Sequence, residues 1–332
     1  MNIYAYSRAE ATPLTLLERI QSLDATRHVS SYVAFVISGH CVGQIHRRLI
    51  PLLLSINGDG RIPLFSRIQG RCGAEAITLD DDLSTNEERT RAMNIVTDDL
   101  IRNGIIKCRH GDRYGLYNEG SNVRELLCMV DRNAASCFGA TSVGVHLLCY
   151  RKCCVRTDRQ DSIQDCDAGS VSLWMAQRSE SKSSFPLKWD PTVAGGQPTD
   201  LSFVENLVKE ANEEAGIDDS LARRATAVSC LSQMTSKPNG TCMKQSLYHC
   251  WDLEVDENFL PYARDGEVTK FELWDSDKLE DEVRQGNNLR PAMRLVVVDF
   301  LIRHGIIKPD DEQNYATIQA AMHRERLILW SE

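Results

Sequence analysis

The stretch GGQPTDLSFVENLVKEANEEAGI, residues 195–217, decides how the chain is read. Glu210, Glu213 and Glu214 stand at i, i+3 and i+4, which predicts three carboxylates on one helix face. Like charges at that spacing repel and cost an isolated helix roughly a few tenths of a kcal/mol. A hard dication such as Mg²⁺ (or Mn²⁺) reverses the sign, because it takes carboxylate oxygens and keeps other positions for water or phosphate. Asp200 or Ser202 can cap the helix, Leu207, Val208 and Ala211 give it an apolar side, and Gly216 ends it before Ile217. Gly195 and Gly196 allow the backbone to approach a phosphate-sized group closely. Three carboxylates alone usually mean a solvated face. Here glycines bracket them on both sides, and a metal site is the better reading.

Outward from this segment, WDPTVAGG (189–196) leads into the helix, and GVHLLCYRKCCV (144–155) and SVSLWMAQRS (170–179) read as strands around a polar loop. Further strands are expected near 225–232, 244–254 and 267–274, with helices near 276–285, 291–304 and 311–326. The first part also reads as mixed α/β. A helix is expected at 13–22, and a strand pair at 31–37 and 41–46 across Ser38-Gly39. A helix opens at the capping box Thr85-x-x-Glu88 and runs to Arg102, and another is expected at about 123–136. The repeat LIRNGIIK (100–107) and LIRHGIIK (301–308) is best taken as two similar helix endings, with His304 structural.

The 332 residues suffice for two domains, drawn at 1–136 and 137–310 with a C-terminal helix at 311–332. A net charge of −9 argues against nucleic acid as the main partner, and no apolar run is long enough to span a membrane. The start lacks the character of a signal or transit peptide, so the cytoplasm is the expected place, with an organelle left open. The twelve cysteines form no C-x-x-C pair and mostly sit in apolar runs, as buried hydrophobes do in a reducing compartment.

The central segment resembles the Nudix box: Gly, five residues, Glu, seven residues, Arg-Glu, an aliphatic residue, any residue, Glu-Glu, any residue, Gly, aliphatic. Registered on Gly195, it places Lys209 at the Arg and Glu210, Glu213 and Glu214 at the metal-ligand positions. Two positions depart: Leu201 stands where the first Glu is expected, and Lys209 lacks the forked geometry of Arg. VDRNAASCFG (130–139), GVHLLCY (144–150), LWMAQRSESK (173–182) and DGEVTKFEL (265–273) are similar to the branch related to thiamine pyrophosphokinase, fungal and plant proteins with an extra N-terminal domain. That resemblance implies an α/β (α+β) fold, a mixed-sheet α/β/α sandwich after a smaller N-terminal α/β domain. It also implies Mg²⁺- or Mn²⁺-dependent hydrolysis of thiamine diphosphate, or of its oxidised forms, to the monophosphate. Hydrolysis of another nucleoside diphosphate derivative such as ADP-ribose, or a weakly catalytic binding module, are the alternatives.

Other residues are weighed beside these. Arg178 and Lys182 are candidates to hold a small-molecule diphosphate. Glu267, in Asp-Gly-Glu, is a second candidate base beside Glu213. Trp189 and Trp174 are candidates to stack on a ring, and His146 to touch substrate, although core packing is the default for all three. Oligomeric state is open.

Overall fold

The computed structural model describes residues 14–24, 30–58, 62–70, 73–118, 125–152, 171–236 and 242–324. The polar loop expected after residue 155 lies outside them, as do Cys72, Cys153, Cys154 and Cys166.

Helix α1 (Leu16–Gln21) opens on a capping box between Thr15 and Glu18. Strands β1 (Tyr32–Ile37) and β2 (His40–His46) form the expected antiparallel pair. The short α2 (Ile50–Leu54) and the two-residue strands β3 (Asn57–Gly58) and β4 (Ile62–Pro63) lead to β5 (Phe65–Gln69) and β6 (Glu75–Leu79). The first sheet has the order β2-β1-β6-β5, with β1 and β6 parallel. Helix α3 (Asn86–Arg102) starts at the expected capping box of Thr85 and Glu88. It covers the sheet with Met93, Val96 and Leu100, in one core with Phe35, Phe65, Ile77 and Phe138.

The helix expected at about 123–136 is not there among the described residues. Strands β7 (Arg113–Asn118) and β8 (Glu125–Asp131) form an antiparallel hairpin, followed only by the short α4 (Arg132–Ala135). The apolar run ELLCMV suits a helix or a strand by itself, and pairing with β7 decides it. Asp131 then caps α4 and accepts from the N–H groups of His110 and Asn133.

The second sheet is built on β9 (Thr141–Lys152). With β10 (Val171–Arg178), β11 (Trp189–Pro191), β14 (Met243–Glu254) and β13 (Thr226–Ser236) it forms the order β11-β10-β9-β14-β13. In addition β12 (Val193–Gly196) pairs with β9, and β15 (Val268–Asp275) with β10. Only the β9–β14 pairing is parallel among these. Alternation along β9 sends Val145, Leu147 and Cys149 toward α5 (Phe203–Ala215), and Leu148 and Tyr150 toward α8 (Met293–Arg303). The sheet is thus held between helices, with α6 (Asp219–Ala222), α7 (Ser276–Arg284) and α9 (Tyr315–Met322) completing the layers.

Two features tie the chain's halves together. Leu16 and Ile20 of α1 belong to the second core, beside α7 and α9, and Arg19 donates to the carbonyls of Val283 and Gly286. Cys242, before β14, belongs to the first core with Cys137 and Phe138. The repeated octapeptides end α3 and α8 with Gly104 and Gly305 at φ 68° and 73°, the left-handed position that glycine reaches without strain. Their His304 lies 2.9 Å from Asp252 and packs on Tyr150 and Phe300, a structural role as expected. Burial pushes the thiols of Cys128, Cys149 and Cys250 up to about 12, so they behave as hydrophobes. Among the described residues no helix is long and apolar enough to cross a membrane.

Candidate active site

Helix α5 is set by its own sequence. Ser202 caps it in a full capping box with Glu205, and Gly216 closes it in the left-handed conformation. Leu207, Val208, Ala211 and Ala215 bury one side against the sheet. That packing fixes which carboxylates face inward.

The three glutamates have different surroundings. Glu214 is 7% exposed and accepts from the Ala194 N–H at 2.9 Å. Burial raises its pKa to about 8, and Glu210, Asp190 and Glu267 add to the rise against the one bond from Ala194. Glu210 lies against Gly195, where a side-chain Cβ would come within 2.3 Å of its Cγ, so only glycine leaves the room. Its pKa is also raised, first by burial, with Glu213 and Glu267 contributing against the pull of Lys209. Glu213 instead turns to Lys209, 2.7 Å away, and its side chain stays 48% exposed. Lysine at the Arg position of the box thus neutralises Glu213 and lies 3.5 Å from Glu210.

Among the described residues no three His, Cys, Asp or Glu side chains form a ready ligand set. The donor chemistry nevertheless fits a dication at Glu210 and Glu214. These are two inward carboxylates whose charge no cation at hydrogen-bond distance neutralises, apart from the long contact from Lys209, and Glu267 lies within electrostatic reach. A dication there would bring both back to their ionised forms.

The other expected site residues divide. Glu267 is near the cluster, at the turn before β15, and its carboxylate is ion-paired with Lys182. Lys182 is therefore engaged rather than free for phosphate. Arg178 is engaged as well: it donates to Asp190 at 2.8 Å and to the carbonyls of Ser184 and Phe185. Trp189 is 7% exposed, with its ring 5.0 Å from that of Trp274, and Trp174 is 8% exposed beside Phe259. Both are core residues, so neither is placed to stack on a ligand. His146 is 3% exposed, edge-on to Tyr248, in the sheet opposite Ala194. Burial and then Arg290 hold its pKa down to about 3, so it is a neutral wall residue and not an exposed contact.

Three residues had no sequence signal. Asp190, 5% exposed, joins Arg178 to Arg290, the latter at 2.5 Å from across 100 residues of chain. Lys244 reaches solvent at the start of β14, yet burial and the guanidiniums of Arg132 and Arg290 lower its ammonium to about 8. No local pattern marks an ion pair closed by the fold. The Asp of WDP reads as one more strand residue.

Residues 14–142 match a domain of unknown function (DUF4743). The chain is 34% identical over 316 residues to Nudix hydrolase 24, chloroplastic, of Arabidopsis thaliana, covering 93% of this chain and 80% of that protein. It is 32% identical over 303 residues to Nudix hydrolase 20, chloroplastic, of the same plant, covering 90% and 74%. An uncharacterised protein of Saccharomyces cerevisiae is 27% identical over 266 residues, covering 75% and 74%. Among solved structures, a protein of Deinococcus radiodurans aligns at a TM-score of 0.39 with 18% identity, over 57% of this chain and 98% of that one.

Proposed function

The chain belongs to the Nudix hydrolases, and from that premise we propose that it cleaves thiamine diphosphate, or its oxidised forms, to the monophosphate and phosphate. The observation that carries the chemistry is Glu214, a carboxylate buried beside Glu210 and Gly195 with one N–H for a partner. The substrate class rests on the resemblance in GVHLLCY, LWMAQRSESK and DGEVTKFEL, outside the box.

Glu210 and Glu214 would hold Mg²⁺ or Mn²⁺, which when bound neutralises charge developing on the phosphoryl oxygens and lowers the pKa of water. Gly195 makes room for the Glu210 side chain, and Gly196, with open space at its Cα, lets the diphosphate lie against the backbone. Arg290, paired with Asp190 yet within electrostatic reach of Glu214, adds positive field beside the two carboxylates, while Arg178 and Lys182 are held by Asp190 and Glu267. We assign the proton of the attacking water to Glu267, which acts electrostatically on both Glu210 and Glu214 although it is ion-paired with Lys182, as Glu213 is with Lys209. Accordingly, Glu267→Gln is expected to lower kcat by about 10²-fold or more, and Glu213→Gln by much less. A larger loss in Glu213→Gln than in Glu267→Gln in steady-state assays would return the base to Glu213. The expected cytoplasm and the chloroplast in the names of the Arabidopsis relatives are both reducing places, which suit this chain's buried thiols.

The test is relative kcat/KM under one metal condition across thiamine diphosphate, oxidised thiamine diphosphates, ADP-ribose, dinucleotide polyphosphates and coenzyme A. A thiamine compound is expected to lead the panel, and turnover is expected to vanish in excess EDTA. A lead of tenfold or more for ADP-ribose, about 1.4 kcal/mol of transition-state preference, overturns the substrate. Undiminished turnover after metal removal overturns the metal.

A further inference from the structure

Immediately after Gly195 and Gly196 the chain borders a cavity of about 280 Å³. Its walls come from both halves of the protein. Tyr114, Gly115 and Tyr117 of β7 form one side, Thr141 and Val143 of β9 the floor, and the box segment from Gln197 through Leu201 to Phe203 the other side. None of the lining residues carries a charge. The contrast with the neighbouring cluster of Glu210, Glu214, Glu267 and Asp190 is sharp: one end suits ions, the other an uncharged or charge-delocalised ring.

The two ends lie on the same side of the sheet. Gly195 pairs with Val145 on β9, and the Gln197 N–H donates to the Val143 carbonyl at 2.9 Å. Val143 and Thr141 stand two and four residues along the strand from Val145, on its α5 face. At ~3.3 Å per residue this is about 7 and 13 Å, the range spanned by a diphosphate and the short arm joining it to a ring.

Two details point to recognition rather than to an accidental gap. The Tyr117 ring is seated over Gly115, its Cε2 within 2.6 Å of where a Cβ would stand, so a bare backbone position sets its place. Leu201 lines the same cavity, at the box position where the resemblance leads one to expect glutamate. Leucine there removes a carboxylate that would otherwise stand in an aromatic recess. The departure from the box is explained by what it borders.

We propose that this cavity is the subsite for the heteroaromatic ring of the substrate, with Tyr117 and Leu201 as specificity-determining residues. The inference rests on the hydrolase reading above and gives the N-terminal half a role: it supplies one wall of the ring site. Face contact with a tyrosine favours a flat ring, and a cationic one further. Gln197, Thr141 and Ser202 offer polar atoms at the rim.

The test compares Tyr117→Ala, Tyr117→Phe and Leu201→Glu with wild type in the full chain, on ring-bearing diphosphates and on ring-free butyl diphosphate. For whichever ring-bearing compound turns over best, Tyr117→Ala and Leu201→Glu are expected to raise KM at least tenfold with kcat within about threefold. Butyl diphosphate should be hydrolysed with unchanged constants, and Tyr117→Phe should behave as wild type. Thiamine monophosphate and AMP, titrated calorimetrically, supply the same comparison without turnover. A wrong thiamine assignment appears as a different leading compound, with the contrast between ring-bearing and ring-free substrates intact. Equal effects on both kinds of substrate, or none on either, overturn the ring subsite. A Tyr117→Ala protein that fails to fold leaves Leu201→Glu, on the other wall, to decide.

Discussion

In the Glu214→Gln variant, hydrolysis is expected to fall by at least about a hundredfold while the metal-free protein becomes more stable above pH 8. Outer groups that only orient a metal ligand are worth about 10–100-fold, so loss of a ligand charge should cost at least the upper figure. Glutamine keeps the size of the side chain and an oxygen to accept from the Ala194 N–H at 2.9 Å, which protects the fold. The stability change follows from protonation. The pKa of Glu214 is raised in the folded protein, to about 8 from an ordinary 4.5, so the folded state holds a proton that the unfolded chain releases. Stability contributed in this way is fully present below about pH 4.5 and is lost as the pH rises through about 8. Over that window the loss is about 3–5 kcal/mol at ~1.4 kcal/mol per unit. Glutamine removes this slope. Saturating Mg²⁺ opposes it in wild type, by ~2.7 kcal/mol at a hundred times Kd, and does much less in the variant. Melting curves at pH 6 and 9, with EDTA and with Mg²⁺, check this. Parallel curves for the two proteins in EDTA would mean that Glu214 is not the buried titrating group.

The second large effect belongs to Asp190. Replacing it with Asn leaves Arg178 and Arg290, now both without their carboxylate, facing each other inside the protein. The Asp190 side chain is 6% exposed and bridges the two guanidiniums at 2.8 and 2.5 Å. Breaking a buried ion pair from one side costs about 3–5 kcal/mol, because a desolvated charge is left behind. Urea unfolding at pH 7 should show that loss in Asp190→Asn. Arg178 also donates to the Ser184 and Phe185 carbonyls, so the turn after β10 should loosen as well, seen as faster amide exchange there. A loss below ~1 kcal/mol would show that water replaces the carboxylate at little cost.

What could be read in advance was local. The caps of α3 and α5, the end of α5 at Gly216, and the strand pair around Ser38 each depend on residues within a few positions of one another. The inward face of α5 was legible for the same reason, since spacing along a helix fixes direction. Misreadings came where a distant partner decides. ELLCMV became a strand because β7 pairs with it. Lys182 and Arg178 suit phosphate by residue type, and in the fold Glu267 and Asp190 engage them. Trp189 stands beside Asp190 in sequence and His146 lies opposite Ala194, but both side chains are buried in the core. Glu213 looked equivalent to its neighbours, and Lys209 separates it from them.

The docking of α1 has a consequence for how the chain comes to be folded. Leu16 and Ile20 are covered by α7 and α9, which follow α1 in the chain by roughly 250–300 residues. At ~5–20 residues per second, the interval between synthesis of the first helix and of its cover is about 15–60 s. For that time an apolar helix face stays open on the nascent chain, long after the first sheet has closed. Helix α1 must wait for its cover until α7 and α9 have been made. A chaperone that binds short amphipathic segments would find its target there, and a chain stalled before residue 315 would display that face indefinitely.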